Sequence, residues 1–70
     1  MNLEYDVNVD AAYLYLTPVR EGAVKKTYPC DPREVRGQIN LDFDEAGRLV
    51  GIEVLDANRL LPKVLPRANA

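Results

Sequence analysis

The sequence predicts a small α+β domain that is mainly β: an antiparallel sheet of about four or five strands with a short C-terminal helix. Three observations carry that expectation. From Gln38 to Leu55 the chain reads QINLDFDEAGRLVGIEVL, two alternating apolar runs around a short polar segment, which is the pattern of an antiparallel hairpin. Ala12 to Thr17 (AYLYLT) is a run of high β propensity. Asp56 precedes a short apolar stretch, Ala57 to Leu61, that Pro62 stops, as expected of a brief capped helix.

Taken in order, Leu3 to Asp6 forms a first short strand with Leu3 and Tyr5 on one face. Asp6 to Asp10 (DVNVD) is a turn, because Asx side chains bond their own backbone and tolerate unusual φ. In the second strand Ala12, Leu14 and Leu16 form one row and Tyr13 and Tyr15 the other, ending at Pro18, which has no N–H for a ladder. Arg20-Glu21-Gly22 is a turn. Ala23 to Tyr28 (AVKKTY) is a weaker strand whose paired lysines suit a sheet edge. Asp31 to Gly37 is a charged loop with one helical turn after Pro32. The hairpin and the helix follow. The domain spans residues 1–62, and residues 63–70 form a tail that is mobile or at an interface.

The hairpin register follows from matching its apolar rows. A three-residue loop sets Leu41 beside Gly51 and Phe43 beside Leu49, so Val50 and Ile52 fall beside acid and amide. A four-residue loop from Asp44 to Gly47 instead pairs Phe43 with Arg48, Leu41 with Val50 and Ile39 with Ile52, and the rows coincide. That loop is the expected one, with Asp44 accepting backbone N–H bonds and Gly47 at positive φ.

Composition narrows the function. A chain of 70 residues makes one domain that buries only about 60% of its unfolded surface. Chains of this size commonly add disulfides, a metal or self-association to a thin core. The single cysteine, Cys30, excludes an internal disulfide, and the absence of histidine speaks against zinc. Self-association remains. A net charge of −2 without a basic cluster argues against nucleic acid. No apolar run is long enough to span a membrane and no signal-like segment opens the chain, so the expected location is the cytoplasm.

No residue set rises to a catalytic or cofactor constellation, so no catalytic residue, metal or cofactor is expected. Asp42, Asp44, Gly47 and Glu53 fall at four positions of a calcium loop, but Ala46 occupies a ligand position and the flanks read as strands. With Glu53 opposite Gln38, about 13 Å would separate it from Asp42. Asp6, Asp10, Asp42 and Asp44 could pair for acid–base work, yet turn caps and solvated strand faces explain acids in these places. Cys30 has no histidine to activate it, and the chain contains no serine. Tyr13 and Tyr15 could stack single-stranded bases, but no basic groove accompanies them.

Tyr5-Asp6, Asp10-Ala11, Tyr13-Leu14-Tyr15-Leu16, Asn40 to Asp44, Gly47 to Leu55 and Asp56-Ala57 together resemble the bacterial domain-of-unknown-function family 2283. Its small members run Y-D-x-x-x-D-A-x-Y-I-x-L near the start and D-x-D-G-R-L-V-G-I-E-I-L-D-A-S near the end. The chain departs from them in its charged middle segment and in Asn58, where serine is usual. The resemblance implies no activity. Because some members of similar families sit beside small toxin genes, it does imply an antitoxin-like partner of a small toxin as one alternative. The residues themselves point to a non-enzymatic interaction module, a homodimer or the partner of another protein. The alternative from another class is a weak ligand binder or enzyme built on the acids. Tyr13, Tyr15, Leu49 and Leu55 on one sheet face, with Leu60, Leu61, Val64 and Leu65 after the helix, are the expected interface.

Overall fold

The computed structural model describes residues 1–18, 22–63 and 68–69. Strands β1 (Asn2–Asp6), β2 (Ala11–Tyr15), β3 (Lys26–Pro29), β4 (Ile39–Phe43) and β5 (Leu49–Leu55) form an antiparallel sheet, extended by the two-residue β6 (Ala68–Asn69), which runs parallel to β1. The strand order is β3-β4-β5-β2-β1-β6. The chain thus makes the hairpin β1–β2, crosses to the far edge, and returns through the meander β3–β4–β5 to pair β5 with β2. Two four-residue helices, α1 (Pro32–Val35) and α2 (Ala57–Leu60), complete it.

Most elements form where their local chemistry dictates. Asp31 caps α1 by accepting the Arg33 N–H at 2.9 Å, Pro32 occupies the first turn, and Arg36 closes the helix at φ 56°. Asp6 accepts the Asn8 N–H in the β1–β2 turn. Lys25 and Lys26 lie at the β3 edge, as their sequence pattern predicts. The weaker strand is shorter than Ala23 to Tyr28, starting at Lys26 and running through Pro29, whose missing N–H is tolerated at an edge. Arg20 and Glu21, expected in a turn, lie outside the described residues.

The hairpin register differs from the sequence expectation. The loop is the three-residue one: the Asp44 N–H bonds the Arg48 carbonyl at 2.9 Å, and the Asp44 carboxylate accepts the Arg48 N–H at 2.9 Å. Phe43 faces Leu49, but Asp42 faces Gly51, so Val50 is an extra residue and the ladder shifts there. Beyond the bulge Leu41 pairs with Ile52 and Ile39 with Val54. The bulge realigns the apolar rows that the loop alone would have misaligned, a solution that matching of regular strands does not contain. Gly47 takes φ 82°, the left-handed conformation expected for it.

The register sorts side chains onto two faces. One carries Leu3, Tyr5, Ala12, Leu14, Ile52, Val54, Ile39, Leu41 and Phe43. The other carries Glu4, Tyr13, Tyr15, Glu53, Asn40, Asp42 and Thr27. Helix α2 covers one end of the apolar face: Tyr5, Ala12 and Ala57 form the buried cluster, with Leu3 and Leu61 against it. Ala57 has no exposed surface, and the two alanines let the helix backbone come close to the sheet.

The helix cap also differs. Asp56 sits at φ 54° and makes no side-chain cap bond; its carboxylate accepts instead from Arg59 Nε at 2.6 Å. The cap comes from Asp10 in the β1–β2 turn. Its carbonyl accepts the Ala57 N–H at 3.0 Å and its carboxylate the Asn58 N–H at 3.1 Å.

Replacing Gly47 by valine is expected to lower unfolding free energy by about 1–3 kcal/mol, since a β-branched residue is strained at positive φ. Urea denaturation checks this, and a midpoint equal to wild type would contradict the loop geometry.

Candidate functional site

The polar face is built around Asp42, which is only 9% exposed. Tyr13 donates its phenol hydrogen to Oδ2 at 2.5 Å and Thr27 donates its hydroxyl to Oδ1 at 2.6 Å. Tyr13 lies on β2, Thr27 on β3 and Asp42 on β4, so the phenol must pass over β5. Gly51 makes that passage: a Cβ there would lie 2.5 Å from the Tyr13 ring atoms Cε1 and Cζ. A glycine in the middle of a strand thus marks the close approach of another group. Beside it Asn40 donates to Glu53 at 2.8 Å, and the Tyr15 ring stands 4.6 Å from that of Tyr13.

The Tyr13 phenol is held well above the ordinary tyrosine range, first because burial disfavours the phenolate, then because it donates to Asp42 and feels that carboxylate's charge. Its chemistry is therefore that of a neutral donor. A hydroxyl locked in this way holds Asp42 in place and is not a base.

A second polar cluster gathers where the β1–β2 turn meets the start of α2. Tyr5 donates to Asp10 Oδ1 at 2.8 Å, and Asn58 Nδ2 donates to the Tyr5 oxygen at 3.0 Å. These bonds join the first strand, the first turn and α2.

The residues that sequence reasoning singled out are dispersed. Asp6, Asp10 and Asp44 serve turns and a helix cap, and Asp42 serves the tyrosine. The calcium-loop positions are differently placed than expected: Glu53 pairs with Asn40, not Gln38, so it is the diagonal neighbour of Asp42, about 7–8 Å away instead of 13 Å. Both acids already have donors. Among the described residues no group of three or more acids or cysteines could hold a metal ion. Cys30 is a half-buried free thiol whose backbone N–H bonds the Ile39 carbonyl.

Of the expected interface residues, Tyr13, Tyr15 and Leu55 do share the polar face. Leu49 does not continue that row, because the bulge pairs it with Phe43. Leu61 packs, partly buried, against the Tyr5–Ala12–Ala57 cluster, and Leu60 lies against Gly37. Val64 and Leu65 lie outside the described residues. The residues missed in the sequence are Thr27 as a partner of Asp42, Gly51 as the passage for Tyr13, and Asp10 as a cap. A glycine centred in an apolar strand was the one available signal.

The apolar face carries an open groove of about 340 Å³, bordered by Met1, Asn2, Leu3, Ala12, Leu14, Ile52, Val54 and Leu61. Asn2 is the one polar side chain among these residues, and none of these side chains is titratable. A family model described as a protein of unknown function, DUF2283, matches residues 2–58. The chain belongs to this family. No curated protein and no solved structure matches it. The DUF2283 match spans β1 to the start of α2, and so contains Tyr13, Gly51 and Asp42 as well as Asp10 and Asn58. No helix among the described residues is long and apolar enough to cross a membrane.

Two outcomes follow. Gly51→Ala should cost at least about 2 kcal/mol, since the methyl group displaces the Tyr13 ring and leaves the buried Asp42 with Thr27 as its one remaining donor of the two. In a double-mutant cycle Tyr13→Ala should recover part of that loss, and strict additivity would refute the contact. Alkaline pH gives the second. A folded-state phenol pKa above the unfolded value of 10.0 means that the unfolded chain loses its proton first, so stability falls as pH rises past about 10. Tyr13→Phe should make that fall shallower in denaturation midpoints measured between pH 8 and 11, a range bracketing the ordinary tyrosine pKa of about 10.

Proposed function

We propose that this DUF2283 chain is a non-enzymatic, cytoplasmic module that works through self-association, as a homodimer. One observation carries the reading: no large side chain among the described residues is fully buried. Leu14, Leu16, Ile39, Leu41, Phe43 and Ile52 all remain partly exposed, because one four-residue helix covers only the Tyr5–Ala12 end of the sheet. A soluble domain rarely leaves an apolar face of this extent to water. A two-fold contact is the commonest way of covering one, and small domains gain most from it.

An enzymatic or ligand-binding role draws less support. Asp6, Asp10, Asp42 and Asp44 each hold a structural hydrogen bond, and the groove is apolar and open. Catalysis would call for titratable groups converging on such a cavity.

Light scattering coupled to size exclusion at micromolar concentration should return twice the chain mass of 7.9 kDa. A protein still monomeric at about 100 μM, far above the Kd of a specific dimer, would overturn the proposal.

A further inference from the structure

We infer that the partner is a second copy of this chain seated on the apolar face, sheet against sheet, with Leu14, Leu41 and Ile52 at the centre of the contact. The inference rests on the self-association proposed above and assigns it a surface. Exposure supports it first: Leu14, Ile39, Leu41, Phe43 and Ile52 are only partly buried on this face, and helix α2 covers it at the Tyr5–Ala12 end alone.

Charge then selects the face. At the paired positions of β1 to β5 the tyrosine face carries Glu4, Asp6, Asp42 and Glu53, and no lysine or arginine. A two-fold contact sets a patch against itself, so this face would bring the carboxylates of Glu4, Asp6 and Glu53 of each copy against those of the other. The apolar face has one charge at those positions, Lys26, at the outer edge of the sheet. Burying its β2–β5–β4 part against its own copy desolvates no charged side chain.

Geometry limits the overlap. A helix is about 10–12 Å across with its side chains, and packed sheets stand about 10 Å apart. Helix α2 of each copy therefore fits beside the partner's sheet and not beneath it. The contact is confined to the β2–β5–β4 part of the face, where the groove beside Leu14 and Ile52 can take an aliphatic side chain from the other copy. The sequence places Tyr13 and Tyr15 at the contact; this arrangement leaves them in solvent.

The test is an isotope-filtered NOE experiment on an equal mixture of labelled and unlabelled wild-type protein, which needs no variant to fold. Intermolecular NOEs should reach the methyl groups of Leu14, Leu41 and Ile52. Leu14→Asp should raise the dimer Kd at least about tenfold, as loss of a central contact does, while Tyr15→Asp leaves it within about threefold. NOEs confined to the Tyr13 and Tyr15 rings, or to the β3 edge, would overturn the face and leave self-association standing. A wild-type monomer at about 100 μM would overturn both.

Discussion

The hydrogen bond from Tyr13 to Asp42 crosses a strand instead of joining neighbours, and the order of the sheet depends on it. A single layer of strands has no second layer to fix which strand lies beside which. Backbone ladders are the same for any pairing, so side chains must discriminate. With β5 between β2 and β4, Tyr13 reaches Asp42 because the residue beneath its ring is Gly51, which has no Cβ to block it. Thr27 brings β3 into the same network. Three strands, β2, β3 and β4, are thereby tied through one carboxylate, whose burial would be costly without those two donors.

That network also makes the two faces chemically unlike. Acids and amides gather where the tyrosines lie, and aliphatic side chains gather where α2 docks. Ala12 and Ala57 give the helix close packing at one end of the sheet, but a four-residue helix has no length with which to reach Leu41 or Phe43. The chain thus invests its polar chemistry in strand order and leaves much of its apolar surface open.

What could be read from the sequence was local. The turn at Gly47, the Asp31–Pro32 helix start, the lysine edge and the β alternation depend on residues within a few positions of one another. The errors arose where distant residues decide. The bulge at Val50 reconciles a three-residue loop with aligned apolar rows, and regular alternation gives no sign of it. Asp56 has the right residue type for an N-cap, but the left-handed backbone there turns its carboxylate toward Arg59. Glu53 moved beside Asp42 because of the same bulge. The polar site was hidden for a related reason: Tyr13 and Asp42 are 29 residues apart, and their meeting requires the crossover that puts β5 next to β2.

The Asp10 cap has a consequence for how the chain folds. Its two bonds to α2 join residues nearly 50 positions apart, one of them recorded at a separation of 48. A helix of four residues has no stability alone, since nucleation costs more than one turn returns. It can persist only after β2 has found β5, which closes a loop from Tyr15 to Gly51 and must meet that entropy first. The meander β3–β4–β5 can form from neighbours in the chain, whereas the N-terminal hairpin must arrive by diffusion. Helix α2 therefore orders only once β2 and β5 have paired, and its formation reports that the N-terminal hairpin has reached the meander.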